Sequence, residues 1–355
     1  MTGGPLLTLR EMKVRILEQR YSRQVLFNPI GKTGQRKLEN SHAFVLGCGA
    51  LGSAIAETLV RAGIQKLTIA DRDYVEPSNL QRQQLFTEQD AVKGVPKVIA
   101  AEARLRAIRS DVTLVPLLDH VDGQLLETYA QDADILIDAT DNFEARLLLN
   151  DFAWKYGIPW VYGACVGSSS SVFPFIPGKT PCFRCLLPVL PSVNETCDTA
   201  GIIAPAVQLT AAHQSTEALK WLTGNEEAMR TKLLHTDIWH NTQVEAGISR
   251  LKKDVCETCG NTPSYPSLTS DSGTHYAVLC GRETVQIIPD SERKLTGEDV
   301  YRVAERLGTV EKHTPFFVEF YAEGYRCVGF TNGRLLIHGL KDIKRGRKIY
   351  HQLFG

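Results

Sequence analysis

Six polar side chains in the first half of this 355-residue chain have the chemistry and order to handle a phosphate: Asp71, Asp73, Asn79, Arg82, Lys97 and Asp141. Cationic and amide groups bind phosphate oxygens and spread their charge. A carboxylate among them can hold a divalent metal, and an acid at the end of a strand can accept a hydrogen bond from a ribose hydroxyl. Together they are the requirements of phosphoryl or nucleotidyl transfer. Taken singly, each is more simply a solvated charge or a helix cap, so the inference rests on the set.

The stretch ahead of them supplies a frame. The apolar run Ala43-Phe44-Val45-Leu46 feeds Gly47-x-Gly49-x-x-Gly52, a helical segment runs from Leu51 to Ala62 with Gly63 as its stop, and a second apolar run ends in Asp71. Strand, glycine turn, helix, strand and acid form a nucleotide-binding βαβ unit: the glycines admit backbone close to phosphates, and the helix N-terminus favours their charge. Either a dinucleotide or ATP satisfies the glycine turn alone. A dehydrogenase needs a ribose acid and a hydride site, but not Asp73, Asn79, Arg82, Lys97 and Asp141 at one edge. The full set favours ATP, over both a nicotinamide-dependent oxidoreductase and a catalytically silent nucleotide-binding scaffold.

Alternating short apolar runs and helical patterns predict a Rossmann-like α/β fold with a doubly wound, mostly parallel sheet. Pro96-Lys97 opens an amphipathic helix to Arg109 with Val98, Ala101, Leu105 and Ile108 on one face. A strand over Thr113 to Leu117, a helix over Gln124 to Tyr129 and a buried strand Ile135-Leu136-Ile137 follow, the last ending in Asp138-Ala139-Thr140-Asp141-Asn142. Ligands of such sheets lie beyond the carboxyl ends of the strands, where the glycine turn, Asp71 and Asp141 would share a site. The stretch from Gly163 to Lys179 reads as a turn region, Leu186 to Gly201 as a loop, and Pro205 to Trp221 as a helix. We expect a leader with a short amphipathic helix over 1–20, a nucleotide-binding domain over 21–260, a Ser/Thr/Pro-rich linker over 261–273 and a small α+β appendage over 274–355.

Four of the nine cysteines form two knuckles, Cys182-x-x-Cys185 and Cys256-x-x-Cys259. Two such pairs can close one tetrahedral zinc site, and four thiolates leave no open position, so the zinc would be structural. Cys197, in a polar loop, is a candidate accessible thiol. Cysteines in metal-binding spacing suit a reducing compartment, and we expect a cytoplasmic protein. A composition of 43% hydrophobic and 23% charged residues reads as soluble and globular. The formal net charge of zero argues against a nucleic-acid binder, and no apolar run approaches the roughly 20 residues of a membrane span.

With RYSRQ, GCGALG, DRDYVEPSNLQRQ, GVPKV, DATDN, PCFRC, TCDTAGIIAP and CETC in this order, the sequence resembles the ThiF/MoeB family of sulfur-carrier adenylyltransferases, relatives of ubiquitin-activating enzymes, from about Arg20 to Cys259. The resemblance implies ATP- and magnesium-dependent adenylation of the C-terminal carboxylate of a small ubiquitin-like sulfur carrier ending in Gly-Gly, with a persulfide donor supplying sulfur afterwards. It further implies that Gly47, Gly49 and Gly52 shape the nucleotide turn and Asp71 holds the ribose. Asn79, Arg82 and Lys97 would contact phosphates, and Asp141 would ligate magnesium. Arg23 would reach the partner subunit's ATP in a homodimer, and Cys197 matches a cysteine able to link to the activated carrier. Activation of a different carboxylate, on a small molecule or a modified tRNA, is the alternative within the superfamily. The balanced charge and paired knuckles count against it.

Overall fold

The computed structural model describes residues 19–189, 200–269, 275–279, 284–289 and 295–354. Two short helices, α1 (Ser22–Val25) and α2 (Gly31–Leu38), lead into β1 (His42–Leu46), α3 (Ala50–Ala62) and β2 (Lys66–Ala70). The chain continues through α4 (Glu88–Lys93), α5 (Lys97–Ile108), β3 (Thr113–Leu117), α6 (Gly123–Tyr129), β4 (Ile135–Asp138) and α7 (Phe143–Tyr156). Next come β5 (Trp160–Val166), β6 (Ser169–Phe175), α8 (Phe183–Leu186), α9 (Ala204–Thr223), β7 (Lys232–Asp237) and β8 (Thr242–Gly247).

These eight strands form one sheet in the order β3-β2-β1-β4-β5-β6-β7-β8. The first five are parallel. All five residues of β1 are buried, as expected of a central parallel strand covered by helices on both faces. Chain order reverses between β1 and β4, so the crevice beyond their carboxyl ends is the topological switch point where such folds bind ligands. Helix α3 ends where Gly63 takes a left-handed conformation, φ 109°, and its N–H reaches back to the Leu59 and Val60 carbonyls.

The expected turn region over 163–179 is instead mostly strand. Val166 pairs with Ser169, so only Gly167 and Ser168 connect β5 to β6, and no crossover helix fits in two residues. From this hairpin onward the sheet is antiparallel. Glycine and serine lower strand propensity, but at Gly163 packing overrides it. A Cβ on Gly163 would lie 2.1 Å from the buried Gln214 side chain of α9, whose amide donates to the Asp138 and Val161 carbonyls.

Beyond the first sheet, Ser267 N donates to Asp151, tying part of the expected linker to α7. A second sheet is wholly antiparallel: β9 (His275–Leu279), β10 (Thr284–Ile288), β11 (Thr309–His313), β12 (Phe317–Ala322), β13 (Tyr325–Phe330) and β14 (Leu335–His338), in the order β11-β12-β13-β14-β10-β9. Helices α10 (Gly297–Leu307) and α11 (Ile343–Phe354) pack against it through Val300, Ala304, Ile349 and Leu353. A capping box starts α10: Asp299 N donates to Thr296 Oγ1, and Thr296 N to Asp299. A separate apolar cluster of Phe317, Val328, Phe330 and Leu336 closes over Tyr74 of the first unit. Among the described residues, no helix is long and apolar enough to cross a membrane.

Candidate active site

The glycine turn takes its shape from two steric demands. Gly47 has φ 98°, a region that disfavours side chains, and a Cβ there would sit 2.6 Å from the Ala139 carbonyl. A Cβ on Gly52 would lie 1.9 Å from the Gly47 carbonyl, so α3 can start this close to the turn only with glycine there. The turn is thereby pressed against the segment after β4, bringing the 138–141 loop beside the 47–52 turn. Gly49 caps α3, and beside it lies Gln83, buried with its Oε1 unpaired among the described residues.

Asp71, at the end of β2, organises this edge. Its Oδ2 accepts from Cys48 N and its Oδ1 from Asp73 N, both at 2.7 Å. Burial pushes its pKa up against the opposing pull of Lys97. Residues 73–75 run antiparallel to 95–97: Val75 N donates to Val95 O, Lys97 N donates to Asp73 O, and Tyr74 bridges Pro96. This ladder sets the buried Lys97 Nζ 3.3 Å from Asp73 Oδ2. Burial works against the Lys97 ammonium, but the Asp73 and Asp71 carboxylates outweigh it and hold the pKa above the usual lysine range. Pro96 stands at the helix N-cap, one residue ahead of the first-turn position its sequence context suggests.

Asn79 is buried, and its Oδ1 accepts from Glu76 N at 3.0 Å, closing a one-turn 3-10 helix over Pro77–Asn79. Arg82 is half-buried and donates to the Ser78 carbonyl at 2.9 Å. In this arrangement both side chains shape the loop that carries them. Asp141 is exposed at the start of α7, ahead of the N-cap Asn142. Beneath it, Asp138 accepts from Thr140 N at 2.9 Å and from Thr140 Oγ1 at 2.6 Å, and pairs with Arg146.

Arg23 lies elsewhere in its own chain. Helix α1 is anchored by Gln24, which donates to the Ala62 carbonyl, and by Tyr21, which packs beneath Gly63. That is the opposite end of α3 from the glycine turn, roughly 18 Å away at about 1.5 Å per helical residue. Arg23 itself is exposed.

Three side chains that hold this edge have no motif to announce them: Arg146, Gln214 and Arg334. Arg146 falls on the buried face of α7, a placement its charge argues against. Arg334 lies between β13 and β14 of the second sheet, yet it is 3% exposed, with Nη2 3.3 Å from Asp73 Oδ1 and Nη1 donating to the Arg72 carbonyl.

The four knuckle cysteines converge. Their sulfurs all lie within 4.8 Å of one another, with Cys182 and Cys256 at 3.5 Å and Cys185 and Cys259 at 3.6 Å. A tetrahedral ion with metal–sulfur bonds of about 2.3 Å sets its sulfurs roughly 3.8 Å apart, so the cluster fits a closed four-thiolate metal site. Behind it, the fully buried Asp151 accepts from Thr258 Oγ1, Arg184 Nη2 and Ser267 N at 2.5–3.0 Å, joining the two knuckles to α7. Cys197 and the leader up to residue 18 lie outside the described residues.

The ThiF family model matches residues 21–258. The sulfur carrier protein ThiS adenylyltransferase of Bacillus subtilis (strain 168) is 48% identical over 336 residues, covering 95% of this chain and 99% of that protein. The molybdopterin-synthase adenylyltransferase of Escherichia coli (strain K12) is 32% identical over 243 residues, 68% of this chain and 96% of that protein. Among solved structures, E. coli MccB with succinimide shares the fold, with a TM-score of 0.59 at 24% identity over 68% of this chain and 74% of that one. On the extent of the family match and the full-length likeness to the Bacillus relative, the chain belongs to the ThiF family.

Proposed function

We propose that this adenylyltransferase uses ATP to activate the C-terminal glycine carboxylate of a ubiquitin-like sulfur carrier. The observation that carries the reading is the run of contacts from Cys48 N through Asp71 to Asp73 and Lys97, which gathers a glycine turn, an acid pair and a buried cation at one switch point. The Bacillus relative's name and its coverage of this chain favour a carrier of the ThiS kind, hence thiamin biosynthesis, over one of the molybdopterin kind.

In this reading Gly47, Gly49 and Gly52 let backbone approach the phosphates, and Asp71 keeps lone pairs for a ribose hydroxyl. Asn79, Arg82 and Lys97 bind phosphate oxygens, Arg82 and Lys97 exchanging their present partners for the nucleotide. Asp141, exposed beside the glycine turn, holds magnesium, whose charge would help neutralise the phosphates. A terminal carboxylate has a reference pKa of about 3.5 and is ionised at neutral pH, so no general base is required. Its oxygen attacks the α-phosphorus, the bond to the β-phosphate oxygen breaks, and pyrophosphate leaves with that electron pair. Catalysis then consists of orienting two reactants and stabilising phosphate charge.

Arg23 cannot serve its own subunit from the far end of α3, which favours a homodimer in which it completes the partner's site. The four-cysteine cluster holds a structural zinc, and its reduced thiols suit the cytoplasm. Adenylation itself uses no thiol. Cys197 would act after adenylation, when sulfur from a persulfide donor displaces AMP from the acyl-adenylate. Carrier-dependent exchange of pyrophosphate into ATP tests the reading. Exchange that requires a Gly-Gly-terminated carrier is expected, and its absence with every such carrier would overturn the proposal.

A further inference from the structure

The second sheet has so far no part in the chemistry, yet it contacts both strands of the ladder on which the candidate site is built. The Tyr74 ring packs at a tilt against Phe317 and Phe330, with centroids 4.6 and 6.0 Å away. On the opposite strand, a Cβ at Gly94 would lie 2.5 Å from the Phe317 ring, and Lys312 Nζ donates to the Ala91 carbonyl at 3.3 Å. The segments gripped in this way, 72–74 and 91–94, directly flank Asp71, Asp73 and Lys97.

The central contact is Arg334. It follows a tight turn in which Gly333 has φ 88°, Arg334 N donates to Asn332 Oδ1, and Phe330 N donates to the Arg334 carbonyl. The turn aims the guanidinium, stacked 4.7 Å from the Phe330 ring centroid, into the loop after β2. There it takes Asp73 Oδ1 and the Arg72 carbonyl, while Lys97 takes Asp73 Oδ2. Asp73 is thus bracketed by two buried cations, one from each unit. Stability does not explain the arrangement well. Arg334 Nε is buried without a hydrogen-bond partner among the described residues, and burial with nearby Arg72 draws the guanidinium pKa down to about 10 despite Asp73. Such a group contributes little net stability, whereas the geometry it imposes on its partners is definite.

We infer that Arg334 is a positioning residue for the nucleotide site: by fixing Asp73 and the Arg72 carbonyl, it presets Asp71 and Lys97 for ATP, and the C-terminal unit is thereby part of the adenylation apparatus. Without it, Asp73 would be free to close further on Lys97 and compete with the phosphates for that ammonium. This inference rests on the reading of the cleft as an ATP site.

The test uses the full-length protein and two readouts, binding of a non-hydrolysable ATP analogue and carrier-dependent pyrophosphate exchange. Arg334→Met should weaken analogue binding and raise KM for ATP by about tenfold, leaving KM for the carrier unchanged, and Arg334→Lys should recover part of the loss. Phe317→Leu loosens the same contact without touching Asp73. It should lower the melting temperature and cost clearly less ATP affinity than Arg334→Met does. Unchanged affinity in Arg334→Met, or an equal loss in Phe317→Leu, would overturn the role assigned to Arg334. Failure of the unaltered protein to bind the analogue would instead overturn the reading of the cleft, and the inference with it. Binding without exchange would remove only the carrier assignment.

Discussion

Arg146 Nε lies 2.9 Å from Asp138 Oδ2, with both side chains buried at the end of β4 directly beneath Asp141. The same guanidinium donates to the Thr140 carbonyl at 2.8 Å and lies 5.2 Å from the Tyr162 ring centroid. It locks the strand end to the loop that presents Asp141. Removing one member of such a pair strands a buried charge. Arg146→Met should therefore cost about 3–5 kcal/mol in denaturant unfolding. The double change Arg146→Met with Asp138→Asn should recover part of that loss, because Asn keeps an acceptor for Thr140 without the charge. If the double variant is no more stable than the single one, the stranded carboxylate is not the cause.

Lys97 and Asp141 separate chemistry from stability. Asp141 is exposed, and the side-chain hydrogen bond it makes among the described residues is a long 3.5 Å contact from Asn142. Asp141→Ala should leave the melting temperature within the small range of surface substitutions, and pyrophosphate exchange should fall by at least about 100-fold. Lys97→Ala should lower exchange by a similar factor of about 100. It should also lower stability, because Asp73 and Asp71 lose the cation between them. Exchange that survives Asp141→Ala would remove the magnesium assignment.

Much of this was legible in residue order because the responsible physics is local. Gly52 reports a steric demand from the Gly47 carbonyl five positions back, and Gly63 reports a helix stop. Cys182-x-x-Cys185 and Cys256-x-x-Cys259 each carry half of a metal site in four positions, and the fold had only to join the halves. The hairpin of β5 and β6 escaped because its strands are rich in Ser and Gly, and the demand that places Gly163 there comes from Gln214, 51 positions away, rather than from propensity. Arg334 escaped for another reason. It sits 261 positions from Asp73, in a unit with its own core, and a turn arginine in a sequence gives no sign of which surface it will enter.

A pH effect follows from His42, at the start of β1. Its Nε2 lies 2.9 Å from Thr68 Oγ1, and burial, aided by Lys66, holds its pKa below the usual 6.5. The folded protein therefore binds this proton less readily than the unfolded chain does. The neutral ring's contribution is fully present above about pH 6.5 and declines as pH falls toward the depressed folded value. Urea unfolding of His42→Gln should lose less stability between pH 7.5 and 5.5 than the unaltered protein does. Parallel losses would show that other groups govern the acid limb.

The cysteine cluster makes the last prediction. Four thiols packed within 4.8 Å share protons poorly: hydrogen bonding to Cys259 pushes Cys182 far up, and the same bond helps draw Cys259 down to about 5. A divalent cation resolves the conflict by taking all four as thiolates, and its binding energy then becomes part of folding. One zinc per chain should be found by elemental analysis. Cys256→Ser should abolish it and lower the melting temperature by about 4 °C, equivalent to roughly 3 kcal/mol for a protein of this size. Because the cluster is joined to α7 through Asp151 and not to the glycine turn, residual exchange measured below the new melting temperature should keep its KM for ATP. A changed KM would place the metal in the nucleotide site's mechanics and contradict a purely structural role.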